Sequence, residues 1–441
     1  MNPVRTTPTL FTMLALLAGC AGTDTGNPAV SAAPKGVEFI RSKLLRDEEP
    51  DVAADLVTQL GTDNQDFAYA FYEQVAAASQ GNLFFSPYSI SEALAMLYAG
   101  ARGVTESEMA GALRFELSQS QLHPAFNAVD QQLAARADQV PRSAGGWSPQ
   151  AGDGLRLSVL NAAWTQQGFD FLTDYLDLLA RDYGAGMYTL DFTRQPELAR
   201  GRINEWVSEQ TAGRITELLP PMSITGKERL VLTNAIYFKA FWLNRFIKSS
   251  TRDDVFHAPT ADVTVPMMHG DRGLYAAGDG YQAIALPYVS QAVRMLFVMP
   301  AEGRFEEIEA GFDRAFVDTI RGGLAQPAAL RLTLPRFRYE VALDAREALN
   351  MLGMRQAFDP AAADFSGMAT RRGVYVDRVL HKAYIAIDED GTEAGAATAV
   401  GTSAGTSPPP VEIVFNRPFL YLIYDEPTGQ VLFLGRLMDP R

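Results

Sequence analysis

Ser403 sits in the run Gly401-Thr402-Ser403-Ala404-Gly405, the G-x-S-x-G spacing that in hydrolases lifts a nucleophilic serine onto a tight strand-to-helix turn. That chemistry needs a helix after the serine and an acid and a histidine further on. Here Ser407-Pro408-Pro409-Pro410 follows, and consecutive prolines cannot open a helix. The four histidines, His123, His257, His269 and His381, all precede Ser403, so only a triad in another chain order would serve it. Gly226-Lys227 lacks the upstream glycine and the following Ser or Thr of a phosphate loop. Asp388-Glu389-Asp390-Gly391 has the composition of a calcium loop without its ligand spacing or terminal Glu. No two histidines have metal-ligand spacing, and one cysteine cannot build a Cys-based zinc set or an intramolecular disulfide. The residues therefore point away from enzyme chemistry, and they call for no metal or cofactor.

The elements around these residues belong to a large exported globule. Of 441 residues 47% are apolar and 20% charged, enough for a packed core, and length alone allows one large domain or two to three smaller ones. Lys and Arg number 38 against 52 Asp and Glu, a formal charge of −14, which argues against a nucleic-acid partner. Met1 to Arg5 is mildly positive and Leu10 to Gly19 is apolar but far short of the roughly 20 residues that span a bilayer. It ends in Leu17-Ala18-Gly19-Cys20, which resembles the bacterial lipobox, where the cysteine is lipidated and becomes the mature amino terminus. The plainer alternative is a secretory signal with a chance cysteine. The expectation is an exported bacterial lipoprotein: signal peptide 1–19, a lipidated tether over 20–61 and a globular domain over 62–441. Ala21 rather than Asp after Cys20 favours the outer membrane in a Gram-negative host.

Periodicity predicts helices over 66–78, capped by Thr62 or Asp63, over 89–100, capped by Ser89 or Ser91, and over 203–211. Strands are expected over 230–238, 283–288, 293–299, 330–337, 374–387 and 431–437. Helices early and strands late, without βαβ alternation, indicate an α+β fold with mostly antiparallel or mixed sheets.

One segment stands apart. Gly391 to Ser407 contains nothing bulkier than Glu393 or Val400 and lies between two apolar strand patterns. Taken alone it reads as a flexible loop. Its first half nonetheless alternates: Thr392, Ala394, Ala396, Thr398 and Val400 share one face of an extended chain, and Glu393, Gly395, Ala397, Ala399 and Gly401 the other. Small residues on both faces let a strand slide between two others without a wide gap.

Five ordered stretches then resemble the serpin family, across the whole of 62–441. They are Asn82-Leu83-Phe84-Phe85-Ser86-Pro87-Tyr88-Ser89-Ile90; Asn204-Glu205-Trp206-Val207 with Thr211 and Gly213-Arg214-Ile215; Asn234-Ala235-Ile236-Tyr237-Phe238-Lys239 with Trp242 and Phe246; His381-Lys382-Ala383 with Asp388-Glu389 and Gly391-Thr392-Glu393-Ala394; and Asn416-Arg417-Pro418-Phe419 with the terminal Gly435 to Pro440. The resemblance implies a serpin fold with a large mixed central sheet and an exposed reactive-centre loop at about 389–410. It also implies a conformational mode of action, as a monomer. A serine or cysteine protease cleaves the loop and is held as an acyl-enzyme while the loop enters the sheet as a new strand; serpin loop insertion is a standard example of strand addition and strain release. About twelve inserted residues, at a net ~1 kcal/mol per ladder bond, supply on the order of 10–20 kcal/mol before entropy.

The resemblance assigns roles residue by residue. Glu389, Gly391, Thr392, Glu393, Ala394, Gly395, Ala396 and Ala397 form the loop hinge, and Thr392, with no bulky or charged block after it, implies inhibitory competence. Ser86, Ser89, Asn161 and His381 are a hydrogen-bonded shutter beneath the sheet, and Trp242 is the aromatic at the top of the opening; His381 is structural rather than a general base. Counting from Glu389 places the scissile bond at Gly405-Thr406, with Ser403, Ala404 and Ser407 as alternatives. All are small and uncharged, which fits an elastase- or subtilisin-like protease. The alternative is a non-inhibitory serpin acting as a binding or structural lipoprotein, cleaved without trapping its attacker.

Overall fold

The computed structural model describes residues 34, 36–136, 155–211, 213–392 and 409–441. In chain order the described residues form β1 (Glu38–Ile40), α1 (Ala54–Ala77), β2 (Leu83–Phe85), α2 (Pro87–Tyr98), α3 (Gly103–Leu113) and α4 (Gln119–Ala135). Next come β3 (Arg156–Gln166), α5 (Thr173–Tyr183), β4 (Met187–Leu190), α6 (Pro196–Gln210) and β5 (Leu230–Phe241). A strand-rich stretch follows: β6 (Arg252–His257), β7 (Asp262–Gly270), β8 (Leu274–Gly278), β9 (Tyr281–Pro287) and β10 (Val293–Pro300). After α7 (Phe305–Ala310) and α8 (Arg314–Gly323) come β11 (Leu330–Pro335), β12 (Phe337–Asp344), α9 (Arg346–Met351) and β13 (Arg378–Ile387). The last elements are β14 (Gly391–Thr392), β15 (Val411–Val414), β16 (Phe419–Asp425) and β17 (Val431–Leu437).

The strands make three sheets. The central one has seven strands in the order β1-β4-β3-β5-β14-β13-β12, with β5 and β13 also paired directly. A six-stranded sheet runs β2-β17-β16-β10-β9-β8 and a four-stranded one β15-β11-β7-β6. The expected α+β class is the observed one. Along β3 the alternation is clean, because successive side chains point to opposite faces. Leu160, Ala162 and Trp164 pack with Ile203, Trp206 and Val207 of α6, whereas Leu157, Val159 and Ala163 join the larger core. On β5, Leu232, Ile236 and Phe238 share that larger core, so Asn234 between them points the same way.

Helix α2 starts two residues before its expected start. Ser86, not Ser89 or Ser91, is the cap: its hydroxyl accepts from the Ser89 amide at 3.2 Å, and Pro87 occupies the first turn, where its missing N–H costs nothing.

Helix α1 begins at Ala54 rather than near residue 66. The run Gly61-Thr62-Asp63-Asn64 looks like a break, yet each of three residues there has a tertiary reason to be inside a helix. A Cβ on Gly61 would stand 2.4 Å from the Thr428 carbonyl oxygen. Asp63 accepts from the Glu116 amide at 3.0 Å, and Asn64 donates to Gln430 at 2.9 Å. The expected tether also differs, since Glu38–Ile40 pairs antiparallel with Thr189–Met187 and widens the central sheet. A three-residue strand in a polar, proline-bearing stretch has no periodicity to reveal it. None of the helices among the described residues is long and apolar enough to cross a membrane.

Candidate functional site

The seam between β5 and β13 is where the expected hinge and shutter residues meet. Over its lower part the two strands pair in parallel, from Arg378 opposite Val231 to Ala383 opposite Ile236. Above that they part, and β14 occupies the gap. Gly391 lies opposite Phe241 and Thr392 opposite Ala240 on one side; Thr392 lies opposite Ile387 on the other, both pairings antiparallel. The chain after β13 therefore turns back and begins a strand between β13 and β5.

Residues 388–391 make that turn. The Asp388 carboxylate accepts from the amides of Asp390 at 2.9 Å and Gly391 at 3.2 Å, and the Asp388 amide donates to the Gly391 carbonyl at 3.0 Å. Burial pushes the Asp388 carboxyl above its ordinary range, with these amides opposing the shift. Gly391 has no substitute here. Its φ is +157°, and a Cβ would fall 2.1 Å from the Ala240 carbonyl oxygen.

The entering strand is gripped at the top of the gap. Thr392 is 2% exposed, and its hydroxyl shares a 2.8 Å hydrogen bond with the Tyr288 hydroxyl. Trp242 stacks on Tyr288 with centroids 4.6 Å apart and planes at 13°. The Trp242 indole N–H donates to the Asp388 carbonyl at 3.0 Å and its amide to the Asp390 carbonyl at 2.9 Å. Two buried carboxylates lie within the turn. Asp390 pairs with Lys248 at 2.6 Å and Arg245 at 3.3 Å; Glu389 accepts from Thr251 at 2.7 Å and faces Arg336 at 3.6 Å.

Lower down, a second cluster crosses the seam. Asn161 of β3, Asn234 of β5 and His381 of β13 are register partners on three adjacent strands. The Ser86 amide donates to His381 Nε2 at 3.2 Å, which fixes the ring proton on Nδ1, hydrogen-bonded to Asn234 Oδ1. The Asn234 amide nitrogen donates to Asn161 Oδ1 and to the Ser89 hydroxyl. Asn161 Nδ2 then donates to Glu92 at 2.8 Å. From His381 the donors run through Asn234 and Asn161 to Glu92 of α2, and the Ser86 amide at the α2 cap donates back to His381. Complete burial holds the His381 pKa down to about 3, so the ring stays neutral and serves as a structural hydrogen-bonding group.

The structure thus brings Ser86, Ser89, Asn161 and His381 together below and Trp242, Glu389, Gly391 and Thr392 together above. Asn234, Tyr288 and Glu92 belong to these clusters and were not singled out from sequence. Asn234 carried a signal: an amide in the apolar run Leu230 to Phe238 needs a partner. Tyr288 carried none, being one aromatic residue among many. Glu393, Ala394, Gly395, Ala396, Ala397, Ser403, Ala404, Gly405, Thr406 and Ser407 lie outside the described residues, as does Cys20.

Comparison with known proteins decides the family. The family model described as serpin (serine protease inhibitor) matches residues 62–440. The chain belongs to the serpin family. A serpin-like protein of Thermococcus kodakarensis is 33% identical, over 99% of either chain. The leukocyte elastase inhibitor of Equus caballus is 32% identical over 87% of this chain and all of its own. Among solved structures, the thermophilic serpin tengpin in its native state superposes with a TM-score of 0.78 at 25% identity, covering 91% of this chain and 100% of that one. Serpins are in general protease inhibitors, so a protease is the kind of partner this serpin meets.

Proposed function

We propose that this serpin inhibits its target as a suicide substrate, by loop cleavage, acyl-enzyme trapping and strand insertion. The observation that carries the reading is β14, two residues of the hinge already paired with β5 and, through Thr392, with β13 in the gap between them. The protease nucleophile attacks the Gly405 carbonyl, the Thr406 amine leaves with the C-terminal peptide, and Gly405 stays esterified to the enzyme. The freed strand then extends the register begun by Gly391 and Thr392. Continued without a bulge, that register sets Ala394 opposite Phe238, Ala396 opposite Ile236 and Thr398 opposite Asn234 on the β5 side. On the β13 side, Thr398 comes opposite His381. Thr398 is therefore the residue that parts the His381–Asn234 hydrogen bond and offers a hydroxyl to both, so the lower cluster opens without stranding a buried polar group.

Glu393 apart, the hinge residues that follow Thr392 are small, and insertion turns one parallel strand pair into two antiparallel ones. Small, uncharged side chains at Ser403 to Ser407 suit an elastase- or subtilisin-like enzyme, and relatives named leukocyte elastase inhibitors support that class. The serpin acts as a monomer held to a membrane through lipidated Cys20, the outer membrane in a Gram-negative host.

Incubation with pancreatic-type elastase and with subtilisin tests the reading. The expected result is an SDS-stable complex with release of a peptide beginning at Thr406, identified by mass spectrometry. Complete turnover of the serpin with full recovery of protease activity would overturn it.

A further inference from the structure

The stretch ahead of α1 does more than lead into the domain. It is strapped down along its length. Strand β1 pairs with β4 at the edge of the central sheet, and Phe39 lies 4.6 Å from the Tyr188 ring. Further on, the Ser42 hydroxyl donates to Asp177 of α5, and the Asp47 amide donates to the Arg181 carbonyl at 2.9 Å. Between them Arg46 turns inward. Its Nε donates to Asn127 Oδ1 at 2.8 Å, its guanidinium pairs with Asp130 at 2.6 Å, and its side chain is 10% exposed. Asn127 in turn donates to the Asp47 carbonyl at 2.7 Å.

Arg46 sits there for an electrostatic reason. Glu92 of α2 is buried beside Asp130, and burial with that like charge pushes its pKa up to about 8, with Arg46 and the Asn161 hydrogen bond opposing the rise. Arg46 is the counter-charge of this site: it pairs with the partly exposed Asp130 and its charge favours the ionised form of buried Glu92, which is strongly destabilising to bury without a counter-charge. Glu92 is also the terminus of the hydrogen-bonded chain that runs from His381 through Asn234 and Asn161. An electrostatic step, from the Arg46–Asp130 pair to Glu92, thus joins the segment ahead of α1 to the chain of hydrogen bonds at the seam that must open. The mechanical arrangement points the same way. Strands β1, β4, β3 and β5 lie on one side of the seam and β13 and β12 on the other. Sliding the first group aside requires moving β4, which β1 and residues 42–47 tie to α4 and α5.

We propose that residues 38–47 are a strap that sets how readily the central sheet opens, with Arg46 as its electrostatic pin. This rests on the insertion reading above, because a strap matters only in a sheet that opens. Gly186 offers a way to lift the strap without touching the seam: a Cβ there would lie 2.6 Å from the Ile40 carbonyl oxygen and 2.9 Å from Arg41 Cβ. Its φ is not in the left-handed region, so it is the close approach of Phe39, Ile40 and Arg41 that leaves no room for a side chain.

The test uses the whole uncleaved chain without protease, following spontaneous conversion into a urea-resistant, loop-inserted form on native gels. Arg46→Met and Gly186→Val are each expected to speed conversion about ten-fold or more, the scale on which losing a buried counter-charge acts. Adding Glu92→Gln to Arg46→Met removes the need for the cation and is expected to bring the rate back to within about two-fold of the parent. Arg46→Lys keeps a cation opposite Asp130 and is expected to stay near the parent rate, which separates loss of the charge from a general disturbance at that position. Unchanged conversion in both Arg46→Met and Gly186→Val, or no rescue by Glu92→Gln, would overturn the strap. If the cleaved parent itself never becomes more heat- or urea-resistant than the intact chain, the insertion reading fails and takes the strap with it.

Discussion

The top and the middle of the β5–β13 seam are held by different forces. At the top, Trp242, Tyr288 and Thr392 are packed and stacked, and the carboxylates of Asp390 and Glu389 are matched by Lys248, Arg245 and Arg336. In the middle, the groups that meet across the seam are neutral, the His381 imidazole and the Asn234 amide, with Asn161 hydrogen-bonded behind them. The difference matches what each place must do. The top keeps hold of the hinge whether or not the strand goes further, so it can be built from packing and charge, which are costly to undo. Under the proposed insertion the middle has to part and re-form around a new strand, and neutral hydrogen bonds can be exchanged for equivalents at small net cost.

Substitutions on the two sides should therefore differ in kind. The largest effect is expected from Thr392→Arg. A cation forced into the position beside Tyr288 has no partner there, so inhibition should fall by on the order of 100-fold or more as the serpin becomes a substrate, read as the stoichiometry of inhibition. Trp242→Ala removes the stacked ring and its bond to Asp388. A loss of about 3–5 kcal/mol in denaturant unfolding of the intact form is expected, by analogy with other large buried aromatics. Retention of full stability would mean that the top of the seam is not the packed end.

In the middle the test is pH. His381 is held to about 3 when folded against about 6.5 in an unfolded chain, so below pH 6.5 the unfolded state binds the extra proton. The stability is present in full above pH 6.5 and is lost as pH falls toward 3, by about 2 kcal/mol between pH 7 and 5. Glu92, with its raised pKa, works in the opposite sense, so the His381 share is the difference between the parent and His381→Gln across that range. A variant as acid-sensitive as the parent would remove His381 from the account. The smallest effect belongs to Tyr288→Phe, which deletes one hydroxyl contact to Thr392 and should cost about 1 kcal/mol while speeding protease trapping by a few-fold in stopped-flow assays.

Much of this site was legible in the residues because its parts sit in ordered motifs. The hinge, His381, Ser86 and Trp242 lie in runs whose order and separation are family-specific, and β17 was readable end to end from its apolar run. What stayed hidden depends on contacts distant in sequence. Asn234 shows in the sequence only as an amide in want of a partner, which the register of β3, β5 and β13 supplies, and Arg46 matters only once the edge of the sheet is closed by β1. Gly61 and Asn64 read as helix breakers because their partners, Thr428 and Gln430, are more than 300 residues away.

The turn at Asp388 to Gly391 also has a directional consequence. Because β14 runs opposite to both β5 and β13, the slot has a polarity as well as a width. A strand filling it from this turn must feed downward one residue pair at a time, like a zip whose slider is already engaged. Whatever stays attached to the far end of that strand is carried toward the opposite pole of the molecule. In the proposed insertion, the two residues of β14 thereby set the course of the travel as well as its starting point.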